Sequence, residues 1–177
     1  GYLNLKKTSA KADPANYGEA IRAQRSLLSN AKGRYVLEFT VKYPTNSTEG
    51  LGFQVLGNDG NTVLIDGLVN NSRKIIEVTD GSTRQTNDSV PYAMPTCGAF
   101  NIDTTVTLDI DLDNRSFRFY TNRIDNGTTA VLGINGAIDR QFKNSSESVL
   151  GLTAIRFFPR NTLLANAIWQ IKSIKLF

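Results

Sequence analysis

Residues 104–122 read TTVTLDIDLDNRSFRFYTN, and this stretch limits the fold more than any other. Apolar side chains fall on alternate positions: Val106, Leu108, Ile110 and Leu112 lead up to Asp113-Asn114, and Phe117 and Phe119 follow. A period of two is that of a strand with one buried and one wet face. The Asp-Asn break tolerates the positive φ of a tight turn, so the segment predicts a hairpin. Its outward positions, Asp109, Asp111, Arg115 and Arg118, place acids and bases within cross-strand reach. An antiparallel sheet with one solvent face is the consequence.

The same alternation recurs along the chain. Across residues 34–43, Tyr35, Leu37, Phe39, Val41 and Tyr43 share one face; Val36, Glu38, Thr40 and Lys42 share the other. Residues 51–56 and 62–69 predict a second hairpin around the turn formers Gly57-Asn58-Asp59-Gly60-Asn61. Residues 17–29 carry a weak helical pattern, but 19–28 read better as a strand between Gly18 and Asn30. Further strands are expected over 73–78, 149–158 and 167–177. In the last of these, alternation sets Trp169, Ile171 and Phe177 opposite Ile168, Ile174 and Leu176. Residues 79–101 form the longest irregular stretch, and long loops in compact domains carry function. About eleven or twelve short strands without βαβ alternation predict an all-β fold, a sandwich or a barrel. No linker or repeat interrupts the sequence, so one domain over residues 1–177 is expected.

Composition narrows the chemistry. The chain has 177 residues and no His, which removes imidazole bases, Ser-His-Asp triads and the usual zinc ligand sets. Cys97 is the single cysteine, so no internal disulfide forms; with no His to activate it, it reads as a small apolar residue. The net charge of +4 is spread thinly, with no basic run longer than Lys6-Lys7 or Arg73-Lys74. Nucleic-acid surfaces concentrate their charge, so no nucleic-acid partner is expected. No apolar run approaches the roughly 18 residues that cross a bilayer, so no membrane insertion is expected either. The chain opens on Gly1 rather than Met, and is expected to be excised from a larger secreted protein that tethers it to other domains.

The order of segments carries a resemblance. YVLEFTVKY is followed by GFQVLGNDGNTVLIDG, a long loop, TVTLDIDLDNRSFRFYTN and a terminal AIWQIKSIKLF. This resembles the concanavalin A-like, laminin-G-like jelly-roll domains of secreted bacterial glycan-binding and glycan-degrading proteins, over roughly residues 34–177. The LNLKK segment is expected to pair near the last strand. The resemblance implies an antiparallel jelly-roll β-sandwich of two sheets, secretion or a cell-surface location, and a polysaccharide or other glycan as partner. The family's final strand often carries an Asp just before its Ile-Lys ending, where this chain has Lys172 and Ser173. The resemblance also implies a structural calcium near a sheet edge, for which Asp13, Asp59 and Asp66 are loop acids in range. No organic cofactor is expected, and no metal ligand set is selected by the sequence.

Sugar recognition uses exposed aromatic faces for stacking, and amides, carboxylates and Arg for hydroxyls. Trp169, the only tryptophan, is either a stacking platform or core. Tyr92 sits in the long loop; Tyr43 and Tyr120 end apolar strand faces and are candidates to frame a concave surface. Arg84, Gln85, Asn87 and Asp88 are the polar ligand candidates in the same loop. Asp109, Asp111 and Asp113 repeat at period two, but Ile110 and Leu112 between them are unlike an EF-hand. Glucanases of this fold carry Glu-x-Asp-x-x-Glu on one strand; this chain has no such motif, and no catalytic residue is assigned. The expectation is a non-catalytic carbohydrate-binding module. The alternatives are an adhesion or receptor-binding domain, and a small polysaccharide lyase or glycoside hydrolase.

Overall fold

Val, Ile, Phe and Thr dominate the alternating segments and favour a pleated, half-buried surface. The computed structural model describes residues 3–6, 23–27, 29, 32–43, 50–70, 75–81, 83–84, 102–121, 139–146, 150–160 and 168–177, and among them it has strands and no helix. These are β1 Leu3–Lys6, β2 Ala23–Ser26, β3 Arg34–Lys42, β4 Gly50–Leu56, β5 Val63–Asn70, β6 Ile75–Asp80, β7 Thr83–Arg84, β8 Thr104–Asp111, β9 Ser116–Thr121, β10 Arg140–Gln141, β11 Ala154–Arg160 and β12 Ile168–Leu176. Sheet I has the order β1-β12-β3-β8-β9-β10, and sheet II the order β2-β11-β4-β5-β6-β7. Neighbouring strands pair antiparallel throughout. The expected antiparallel β-sandwich of two sheets is the fold, and β1 pairs with β12 as anticipated.

The inner rows of the two sheets meet in an aromatic centre. Phe39 of sheet I lies 4.9 Å from Phe53 and 5.1 Å from Phe157, both of sheet II, in tilted and edge-on geometry. Leu37, Val41, Val106, Leu108 and Ile110 extend the core along sheet I; Val55, Ile65, Val69 and Ile155 extend it along sheet II. Tyr43, next after β3, ties the sheets by its hydroxyl, which donates to the Val69 carbonyl and accepts the Leu51 N–H at 2.9 Å. That satisfies a phenol that is otherwise costly to bury.

Two local expectations are corrected. The β8–β9 turn is a four-residue loop, with Asp111 paired to Ser116, and its left-handed residue is Arg115 at φ 54° rather than Asp113 or Asn114. Asn114 instead donates its backbone N–H and side-chain amide to the Asp111 carboxylate, each at 2.9 Å. In β12, the register shifts between Ile171 and Ser173. This bulge puts Ile174 opposite Phe39 and Leu176 opposite Leu37, on the same inner side as Trp169 and Ile171. One extra residue inverts the alternation beyond it.

One edge of the sandwich is joined by residues 139–146, which the sequence reading left unassigned. Gln141 donates its N–H to Asp80 Oδ1 and accepts the Gly81 N–H, both at 2.9 Å. Phe142 donates to the Arg115 carbonyl of sheet I at 3.2 Å, and Lys143 to the Leu64 carbonyl of sheet II at 2.8 Å. Arg140 is buried between the sheets; its Nη1 donates to the Val78 carbonyl at 3.1 Å and its guanidinium lies 5.7 Å from the Phe119 ring centre.

Candidate functional site

Three of the aromatic candidates are not platforms. Trp169 is fully buried on the inner face of sheet I, because the bulge after it lets both halves of β12 point inward. Tyr43 is buried in the tie between the sheets. Tyr120 lies on the outward row of β9, paired with Thr107, yet is 5% exposed. A sugar ring cannot stack on a face already packed against protein. Arg84 forms the end of β7 and pairs with Thr79. Gln85, Asn87, Asp88 and Tyr92 follow it and lie outside the described residues, as does Asp13.

The register of sheet II brings together a set that sequence reasoning missed. Gln24 pairs with Arg156, Arg156 with Gln54, and Gln54 with Asp66. Asp66 precedes Gly67, whose partner is Val78, which places Asp66 beside Thr79; Thr79 in turn pairs with Arg84. One polar residue per strand therefore forms a straight row across β2, β11, β4, β5, β6 and β7. At a strand spacing of about 4.8 Å the row is roughly 24 Å long. The inner row beside it is Ile155, Val55 and Ile65, so side-chain alternation turns Gln24, Arg156, Gln54, Asp66 and Thr79 outward.

The row is a connected polar strip. Arg156 Nε donates to Gln24 Oε1 at 3.3 Å, and Gln54 Nε2 to Asp66 Oδ1 at 3.4 Å. The backbone N–H of Asp66 donates to Thr79 Oγ1 at 3.3 Å, and Lys143 Nζ stands 3.8 Å from Asp66 Oδ2. Asp66 and Thr79 are buried, Gln54 and Arg156 half-buried, and Gln24 exposed. Buried apolar rows flank the strip on the same outward face: Phe158 and Leu68 on one side, Ala154 and Leu56 on the other. Phe158 lies against Gly52, where an added Cβ would come within 2.6 Å of its ring. Polar groups fixed in such surroundings bond strongly, since water competes for them poorly. Gln24, Arg156 and Gln54 keep accessible surface, whereas Asp66 and Thr79 are covered, so the amide and guanidinium part of the row is the part open to a ligand's hydroxyls. With a single carboxylate among its described side chains, the strip holds no pair of acids.

The outward face of sheet I carries a second charged group, in which the expected outward acids and bases are joined by Arg34 and Asp139. Arg34 bonds Asp111 at 2.8 Å, and Arg118 bonds Asp139 at 2.7 Å, which raises the Arg118 pKa. Arg115 donates to the Ser145 carbonyl. These pairs stabilise little where they are solvated, and Arg34 is mostly exposed. Asp111 is the exception, being largely buried, and its carboxyl is held below the ordinary value of 3.8, first by the Asn114 N–H and next by the Asn114 amide and Arg34, against an opposing effect of burial. A depressed native pKa adds stability above the unfolded value that is lost as pH falls through the native one. Asp111→Ala is therefore expected to cost about 1–2 kcal/mol at neutral pH. Its denaturation midpoint should also fall less steeply than that of the wild type below pH 3.8. Parallel acid limbs would show that the turn does not draw on this carboxylate.

Of the acids that the resemblance offered for a calcium, Asp59 is committed to its own turn. It accepts the N–H groups of Asn61 and Thr62 and the Thr62 hydroxyl, and the hydroxyl bond is the main cause of its lowered pKa. Asp66 belongs to the strip. Among the described residues no group of three or more acidic or thiol side chains is placed to hold a metal ion.

No family model and no curated sequence matches the chain. Solved structures match it in fold. A sialidase aligns over 99% of this chain with a TM-score of 0.59 and 12% identity, and the chain spans 15% of that protein's length. Arcelin-5, a lectin-like defense protein from Phaseolus vulgaris, aligns over 99% of this chain and 86% of its own, with a TM-score of 0.55 and 11% identity. A tetrameric galectin from the ball sponge Cinachyrella aligns over 88% of this chain and 99% of its own, with a TM-score of 0.52 and 13% identity. Identities this low speak for backbone architecture alone. The chain has the two-sheet antiparallel jelly-roll fold that these structures share.

Proposed function

We propose that the chain is a non-catalytic carbohydrate-binding module of a secreted or cell-surface protein, and that it holds a polysaccharide along the outward strip of sheet II. The observation that carries this reading is the alignment of Gln24, Arg156, Gln54, Asp66 and Thr79 in one register line. The fold is one that a galectin and a lectin-like protein also use. Planar amide, guanidinium and carboxylate groups are suited to paired sugar hydroxyls, and a preformed row spends little entropy on binding. Tyr92, which follows β7 in the sequence, is the aromatic contribution in this proposal. Affinity per site is low and is raised by tethering to the rest of the parent protein.

The test is a glycan array followed by affinity electrophoresis on the best polysaccharide, with Gln54→Ala/Arg156→Ala beside the wild type. Loss of two hydroxyl-binding groups is expected to weaken retention about tenfold or more, while the melting transition moves little. Tyr92→Ala should weaken it to a lesser degree. Undiminished retention in the double variant would refute the strip as the site. Binding to a protein receptor with no glycan retained would favour the adhesion reading, and release of reducing or unsaturated products would favour the enzyme.

A further inference from the structure

We propose that the cleft between the β1–β12 edge of sheet I and the β2–β11 edge of sheet II is a second binding site, for a small amphiphile with an anionic head and an apolar tail. At this end of the sandwich the sheets border an open cleft of about 310 Å³. That is at the low end of small-molecule sites, roughly 300–1,000 Å³. Phe157, Ile171 and Ile174 line it with hydrocarbon, together with Ala23 and the half-exposed Leu3. Polar atoms are scarce on these walls, so an apolar tail gains by displacing water from them.

The head group is chosen by Arg25. Its backbone pairs with Ile155, so it occupies an inward position, in the row of Ile155 and Val55. A guanidinium there faces the mouth of the cleft, where it is exposed and lines the cavity. Among the described residues it makes no hydrogen bond or ion pair. The other cation at the rim, Lys172, is already bonded to Asp103. Arg25 is thus the rim cation left for a ligand, and its fork of donors fits a carboxylate. Gln24, the end of the outward strip, also borders the cavity, but Arg25 and the apolar walls lie off the strip, so variants at Arg25 and Ala23 test this site and variants at Gln54 and Arg156 test the other.

Decanoate, titrated into the full chain by calorimetry and amide NMR, is the probe, with decanol as the uncharged control. Decanoate is expected to bind saturably and to shift the amides of Ala23, Arg25 and Ile171. Arg25→Gln should weaken decanoate about tenfold, to the level of decanol, while leaving decanol unchanged. Ala23→Phe, which fills the cleft from an edge strand, should abolish both; glycan retention on the strip and the melting temperature serve as controls for folding. An inward charge on an edge strand can also serve only to block strand addition. In that case Arg25→Gln self-associates and binds decanoate as well as the wild type, which overturns the proposal. So does absence of saturable decanoate binding, or equal affinity of the wild type for decanol.

Discussion

Phe39→Ala is expected to destabilise the fold by about 3–5 kcal/mol, read as a lower urea midpoint at unchanged slope. Phe39 is fully buried on β3, a strand paired on both sides, by β12 and β8. Its ring is shared by Phe53 at 4.9 Å and Phe157 at 5.1 Å, so its removal deprives two rings of sheet II of their partner in sheet I. Neither can move in to fill the space, because Phe53 and Phe157 are held opposite each other by the β4–β11 register. A cavity therefore persists, and the cavity contribution adds to the lost transfer energy. Domains are stable by about 5–15 kcal/mol, so a substantial part of the margin is at stake. A loss below about 1 kcal/mol would mean that the aromatic centre is not what holds the sheets together.

Gly67→Ala is the second large effect, and it acts by excess rather than loss. A Cβ on Gly67 would lie 2.1 Å from Phe53 Cζ and within 2.7 Å of two further ring atoms. Phe53 lies across its cross-strand partner Gly67, an arrangement in which an aromatic ring covers a glycine's bare backbone. The ring has no free direction, since Phe39 stands against it. Overpacking costs about 1–3 kcal/mol where neighbours yield, and more where they do not, so about 3 kcal/mol is expected here. Combining Gly67→Ala with Phe53→Leu, which withdraws the obstructing ring edge, should recover part of that loss relative to adding the two single effects. Strict additivity in this double variant would place the strain elsewhere.

The elements visible in the sequence are those whose information is local. β3 and the β8–β9 hairpin carry their alternation, and the β4–β5 pair its turn formers, within one segment, and each forms where the pattern puts it. β12 was legible as a strand but not in its facing, since nothing in AIWQIKSIKLF marks Lys172 as the extra residue of a bulge. β10 is two residues long, too short for a period, and Arg140 gave no sign that a cation would be buried. The outward strip depends on the register of six strands that are far apart in the chain, and no local pattern states a register. It did leave a trace: GLGFQVL, VLIDGLVN and AIRFFPR each interrupt an apolar run once, with Gln54, Asp66 and Arg156. Aligning those interruptions would have found the centre of the strip. Of the two readings of Trp169 the core one holds, and Tyr43 and Tyr120, read as framing a concave surface, are buried as well, because large aromatic surface is most often spent on packing.

The two ends of the sandwich are fastened by different forces. Where residues 139–146 cross, backbone donors and acceptors of both sheets are engaged, and parting the layers there means breaking oriented bonds one after another. At the opposite end the strands β1 and β2 border an open cleft whose inner walls are hydrocarbon, and cohesion between such walls is weak and directionless. Thermal opening of the layers is therefore expected to hinge at the stitched margin and to begin at the other, where no ladder has to be unzipped first.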